Sequence, residues 1–224
     1  MMSKTQTPPK GHRHRIHQAA CVIARAVIWE RSVGLMLQKK QKLLVAGGDL
    51  RQITAARRLA QYHTVQVMGF DAAAELPVLS HGAPHGALDA LILPMPVTRD
   101  GVFLHTPMYS GSAVSLQSLL PLVKHGGLVA GGRWTESELR MAEQAGLRPV
   151  DYSTREEFAV RNAVPTAEGA LQLAMEELPV TIHGLHCVIL GAGRISRVLQ
   201  PMLRAMGAYV TVVARRCSHI AWTE

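Results

Sequence analysis

The chain is short of three things. Aromatic residues make up only 4% of its 224 positions, there are three cysteines, and no apolar run approaches the roughly 18 residues of a membrane span. Cys21, Cys187 and Cys217 have no metal-ligand spacing, and Cys187 opens an apolar run in which a free thiol acts as a small hydrophobe. Reduced thiols in a cytoplasmic protein, with no metal and no membrane partner, are the expectation. Acidic residues are scarce in one place. Residues 1–42 hold nine lysines and arginines against the single acid Glu30, an excess that equals the whole net charge of +8. Residues 43–224 carry 15 basic and 15 acidic groups, which cancel. The body is therefore neutral and the basic balance belongs to a tail, so no nucleic-acid partner is expected.

Residues 1–41 read as a basic, disordered N-terminal extension. Its apolar stretch from Ala19 to Ile28 is broken by Arg25 and lacks a small-residue cleavage site before Trp29-Glu30-Arg31, a poor secretory signal. Hydrophobic residues are 48% of the chain and charged residues 18%, enough for a sizeable core. From Lys42 onward short apolar runs alternate with helical patterns. Strands are expected at 43–46, 64–70, 88–93, 128–130 and 147–151, and helices at 51–61, 112–123 and 136–144. That alternation with short Gly/Pro turns predicts a parallel sheet covered on both faces. The fold class is α/β: a flavodoxin-like domain over 42–160, then an inter-domain helix over 161–180. In that segment Pro165 is expected to break the chain and Thr166 to cap the helix, with Glu168 near its positive end. Residues 181–224 are read as the first β-α-β of an incomplete Rossmann domain.

The second unit is read from Val188-Ile189-Leu190-Gly191-Ala192-Gly193-Arg194-Ile195-Ser196, a strand entering a glycine turn and a helix. Gly191 allows the tight turn, and Gly193 lets a pyrophosphate approach the backbone at a helix N-terminus. Ser196 stands where glycine or alanine is usual. A bare Gly-x-Gly also suits a purely structural turn. The next strand ends in Arg215-Arg216-Cys217-Ser218 instead of an acid, and guanidinium groups with a hydroxyl suit a 2′-phosphate. Gly191, Ala192, Gly193, Arg194, Ile195, Arg215, Arg216 and Ser218 are the expected NADP site. Gly47-Gly48-Asp49-Leu50-Arg51-Gln52 also joins a strand to a helix, without dinucleotide spacing or a Walker lysine. Strand ends of a first domain commonly face a substrate cleft, so Asp49, Arg51, Arg99 and Thr166 are candidates to line one.

The strings Val45-Ala46-Gly47-Gly48-Asp49-Leu50-Arg51-Gln52, Leu91-Ile92-Leu93-Pro94, Arg155-Glu156-Glu157-Phe158 and Asn162 to Gly169 resemble the A-type subunits of dipicolinate synthase. The Gly191-Ala192-Gly193-Arg194 turn and Tyr209 to Arg216 are similar too. The resemblance covers about residues 42–220. It implies an NADP-dependent oxidation of dihydrodipicolinate to dipicolinate in sporulating bacteria, with a flavoprotein-like B-type subunit as partner. Arg51 and Arg99 would then suit the two carboxylates of the substrate through bidentate pairs, and Glu168 or His183 would handle a proton. A homo-oligomer is left open. Family members continue through further strands, so a chain ending at Glu224 is expected to be truncated. A non-catalytic, NADP-binding or partner-binding remnant is the alternative.

Overall fold

A computed structural model of the chain describes residues 40–71, 80–81 and 87–221. Of the basic extension, residues 1–39 lie outside the described residues. The chain divides into two compact units between Phe158 and Ala159.

The first unit is built on a parallel sheet. Its strands are β1 (Lys42–Ala46), β2 (Thr64–Met68), β3 (Ser80–His81), β4 (Leu88–Ile92), β5 (Val123–Gly131) and β6 (Arg148–Asp151), in the spatial order β3-β2-β1-β4-β5-β6. After the exposed Lys42, the residues of β1 are buried on one face and the other in alternation. Leu43 and Val45 join one core cluster with Val65, Val67, Ala90 and Ile92, while Leu44 and Ala46 join a second with Leu91, Leu93 and Val129. A sheet apolar on both faces must be covered on both. Helix α1 (Leu50–Leu59) supplies Ile53, Ala55, Ala56 and Leu59 to the first cluster at helical spacing. On the other face lie α2 (Leu116–Leu119) and α3 (Glu136–Gln144), which contribute Leu116, Leu119 and Ala142.

The helix expected over 112–123 is far shorter in the structure. Residues ahead of α2 pair instead with an earlier loop: the Leu104 amide donates to Val114 O at 2.9 Å and the Leu116 amide to Val102 O at 3.0 Å. Pro121 cannot donate an α-helical bond, and the chain passes into a 3-10 turn over Leu120–Leu122.

The second unit begins inside α4 (Glu156–Glu177), and here the expected break at Pro165 does not occur. The helix runs through the proline, and Thr166 is no N-cap: its hydroxyl donates to Asn162 O at 2.7 Å within the helix, with Glu168 two residues further on. Ala163 and Ala167 are buried, and Leu171 and Ala174 continue the same stripe against the unit's core. Burial along one continuous face outweighs the roughly 3 kcal/mol that an interior proline costs. Beyond α4, β7 (His186–Leu190) and β8 (Tyr209–Val213) pair in parallel around α5 (Arg194–Ala205), and α6 (Cys217–Ile220) follows. Ile182, Leu203 and Ala208 form the small core, with Cys187, Ile189 and Val210 packed against it. The opposite sheet face is open, with Val188 62% and Leu190 83% exposed.

One buried carboxylate ties a helix start to a loop in the first unit. Glu138, 1% exposed, closes the capping box of α3 by accepting the Thr135 amide at 2.6 Å. Its other oxygen accepts the Thr98 hydroxyl at 2.5 Å. Thr135→Ala should therefore cost about 1 kcal/mol. Glu138→Ala should cost about 2–4 kcal/mol, because it also leaves the buried Thr98 hydroxyl, which still accepts from the Gly101 amide, with no acceptor for its own proton. Urea unfolding followed by circular dichroism measures both, and equal losses would show that the Thr98 link contributes nothing.

Candidate functional site

In an open parallel sheet, ligands sit where the strand order reverses, outside the carboxyl ends of the strands. Here the chain moves outward from β1 through β2 to β3 and returns to place β4 on the other side of β1. The reversal leaves a cleft between the ends of β1 and β4, lined by Gly48, Asp49, Arg51, Gln52, Pro94, Met95, His105 and Tyr152.

Two glycines make the floor. Gly47 and Gly48 have φ values of +68° and +96°, which side chains rarely adopt. A Cβ on Gly47 would lie 3.1 Å from the His105 carbonyl oxygen. The Gly48 amide donates to that same oxygen at 2.8 Å, and the His105 amide donates to Val97 O at 3.0 Å. His105 is thus held from both sides by backbone.

Asp49 does two jobs. It caps α1 by accepting the Arg51 amide at 2.9 Å, and its carboxylate accepts from Arg51 Nε at 3.0 Å and Nη2 at 2.8 Å. Burial opposes ionisation of Asp49, but the hydrogen bonds and charge of Arg51 outweigh it and hold the carboxyl below its usual range. Arg51 is raised in turn, first by that same bond. The fork is fixed with donors to spare. Behind it, Gln52, 2% exposed, donates from Nε2 to Leu93 O at 2.5 Å, and the Tyr152 hydroxyl donates to the same oxygen at 3.1 Å. Burial pushes the Tyr152 phenol upward, so it stays a neutral donor. Gln52 Oε1 is buried with no hydrogen-bond partner among the described residues. Arg99 reaches the rim, its Nη2 3.4 Å from His105 Nε2.

Asp49, Arg51 and Arg99 therefore come together around one cleft. Thr166 and Glu168 lie in α4, in the second unit. His183 is exposed, and a Cβ on Gly207 would strike its ring. His105 and Tyr152 are additions that no motif contains, and Gln52 closes the Gly47-to-Gln52 string without being among the site candidates. Gln52 falls on the buried face of α1, a hint that a polar residue there has a task. No local pattern marks His105.

The glycine turn of the second unit follows β7. Gly191 has φ of +106°, and its amide donates to Val213 O at 2.7 Å. Ala192 is buried, and Gly193 is the N-cap of α5 with φ of −84° and ψ of −168°, open to any residue. Among the described residues, a Cβ on Gly193 would meet no atom within 4 Å, and no side chain caps that end of α5. Neither backbone strain nor protein packing requires glycine there. An approaching pyrophosphate would, so these residues fit a dinucleotide. Arg194 and Ile195 open the helix on its exposed side, and Ser196 is buried, accepting from Gln200 Nε2 at 3.0 Å. Arg215 and Arg216 stand exposed at the end of β8, and Ser218 lies in α6.

The family described as the N-terminal domain of the dipicolinate synthase A-type subunit matches residues 42–153. The A-type subunit of dipicolinate synthase from Bacillus subtilis (strain 168) is 29% identical over 192 residues, covering 80% of this chain and 63% of that protein. The crystal structure of the B. subtilis protein aligns with a TM-score of 0.70 at 28% identity, over 84% of this chain and 65% of the other. Its counterpart from Bacillus halodurans aligns with a TM-score of 0.73 at 25% identity, over 84% and 66%. The chain thus spans a little under two thirds of the length of these relatives.

The shared acceptor beneath the cleft makes a testable prediction. Gln52→Leu and Tyr152→Phe each leave Leu93 O one donor and should each cost about 0.5–1.5 kcal/mol. Together they orphan a buried carbonyl, so the double variant should lose at least about 1 kcal/mol more than the sum. Additive losses in denaturant unfolding would refute the shared role.

Proposed function

The chain belongs to the family of dipicolinate synthase A-type subunits, and from that membership we propose that it takes part in the NADP-dependent oxidation of dihydrodipicolinate to dipicolinate. The observation that carries this reading is the Asp49-held guanidinium of Arg51, beside His105 and Arg99, in a cleft at the reversal of the sheet. A pyridine dicarboxylate asks for two anion-binding groups around a flat ring, and a preset arginine fork is suited to a carboxylate. Asp49 acts as the positioning group, because its own charge would repel the substrate. The cleft is narrow and open to solvent, with an inner volume of about 10 Å³, so a ring would lie across its mouth.

The coenzyme half of the reading rests on the Gly191-to-Ile195 turn. Amides at the start of α5 would take the pyrophosphate, and Arg215, Arg216 and Ser218 a 2′-phosphate. When bound, the nicotinamide supplies the hydride acceptor; the protein binds and orients the ring. The relatives are named as one subunit of a synthase, which supports a second, B-type subunit as partner. The work belongs to the cytoplasm of a sporulating cell.

Dihydrodipicolinate-dependent NADPH formation, with and without a B-type subunit, tests the reaction. Its absence in both mixtures would favour a binding role without chemistry. Titration calorimetry tests the parts. Arg51→Ala should weaken dipicolinate binding at least about tenfold, and Arg99→Ala somewhat less. Gly193→Val should abolish detectable NADP binding while leaving the melting temperature within about 2 °C. Replacing Arg215 and Arg216 with alanine should erase any preference for NADP over NAD. Unchanged dipicolinate binding in Arg51→Ala would remove the cleft from the substrate path.

A further inference from the structure

We propose that His105 is the proton acceptor of the cleft, made a stronger base when a dicarboxylate settles on Arg51 and Arg99. The inference rests on the reading of this cleft as the substrate site.

Geometry comes first. The His105 backbone is pinned between the Gly48 amide and Val97 O, which fixes its Cα at the mouth. Nε2 lies 3.4 Å from Arg99 Nη2. An arginine can only donate, so the imidazole beside it presents Nε2 as acceptor and keeps its proton on Nδ1. The groups facing the ring are Asp49 and Arg51 from the start of α1, Arg99 from its own loop, and Tyr152 after β6, which stays neutral. Burial lowers the basicity of His105 most, Arg99 lowers it further, Asp49 opposes, and Arg51 lowers it again.

Charge counting then gives the direction. With His105 neutral, one carboxylate (Asp49) and two guanidiniums (Arg51 and Arg99) leave the cleft with a single positive charge. A dianion turns that into a single negative charge, and the proton released by the ring restores neutrality when His105 accepts it. The ligand offsets the charges of Arg99 and Arg51, which lower the basicity of His105 in addition to burial, so binding strengthens it as a base. The chemistry needs such a group. Oxidising the dihydro ring breaks two C–H bonds. One leaves with its electron pair to an oxidised nicotinamide coenzyme. The other leaves as a proton, its electrons remaining in the ring as the new π bond. That proton goes to His105, and the product complex is a dianion beside an imidazolium.

The experiment needs no turnover. Dipicolinate is titrated into the full chain at about pH 7.5 in buffers of different ionisation enthalpy, which reports protons taken up per ligand bound. Net proton uptake is expected, because the product dianion draws from water the proton that turnover would take from the ring. Affinity should rise as pH falls from about 8.5 toward 6, up to about tenfold for each unit by which binding raises the imidazole. His105→Gln should abolish the uptake and flatten the pH dependence. Carbon-13 imidazole shifts of the unaltered chain supply an independent reading: one histidine should titrate at a low midpoint when free and a higher one when saturated. Uptake that survives in His105→Gln, or no histidine that moves, overturns the inference while leaving the substrate site intact. Dipicolinate binding indifferent to Arg51→Ala fails the site itself, and the inference with it.

Discussion

The contact between the Gly48 amide and the His105 carbonyl is what the candidate site depends on. It joins the turn after β1 to a loop that lies between β4 and β5 in sequence, and it closes only because residues 47 and 48 carry no Cβ. A side chain at Gly48 would collide with the Gln52 Cγ, so the same glycine also lets Gln52 fold back under the cleft. Remove that approach and Arg51, set by α1, and Arg99, set by the loop, no longer share a surface. Below, Leu93 O gathers the Gln52 amide and the Tyr152 hydroxyl, linking the first helix, the end of β4 and the turn after β6. The cleft is therefore assembled by backbone and buried polar groups, with guanidiniums at its rim.

Much of the scaffold is legible in the sequence because it repeats a local rule. The β1 and β4 runs are apolar on both faces, α1 and α3 carry their caps in Asp49 and Thr135, and both helices lie close to their expected bounds. The misreadings have a common cause. Ser112 to Val123 is helical by pattern, yet Ser115 bridges to Phe103, a partner that no window of that segment contains. Pro165 has the character of a stop, yet a buried stripe on either side keeps α4 whole. In each case tertiary contact overrides local preference. The two-residue strand β3 is too short to leave a pattern at all.

The site divides the same way. Asp49, Arg51 and the Gly191–Gly193 turn sit within a few residues of a strand-to-helix junction, where spacing alone points to chemistry. Arg99 offers only its charge, and nothing in its neighbourhood marks how it is held. His105 is invisible, because its place depends on two backbone hydrogen bonds to residues 8 and 57 positions away, Val97 and Gly48. Thr166 and Glu168 owe their candidacy to a supposed helix start. With α4 continuous, that electrostatic reason for them disappears, since the positive end of the helix lies ten residues before Thr166, at Glu156.

The two glycine turns also differ in what demands the glycine, and the difference separates scaffold from site. At Gly47, Gly48 and Gly191 the backbone conformation itself excludes other residues, so a glycine there says only that the chain must bend. Gly193 is under neither constraint: its dihedrals suit any amino acid and the space beside it is open. A residue that the fold leaves free, yet that costs conformational entropy to order, points outward for its reason. That reason lies at an uncapped helix start with a short buried alanine behind it and two arginines at the end of the next strand. Each of those features has an ordinary structural explanation alone. Gly193 is the one that neither the dihedrals nor the packing of the described residues calls for, and the proposed coenzyme site rests on it.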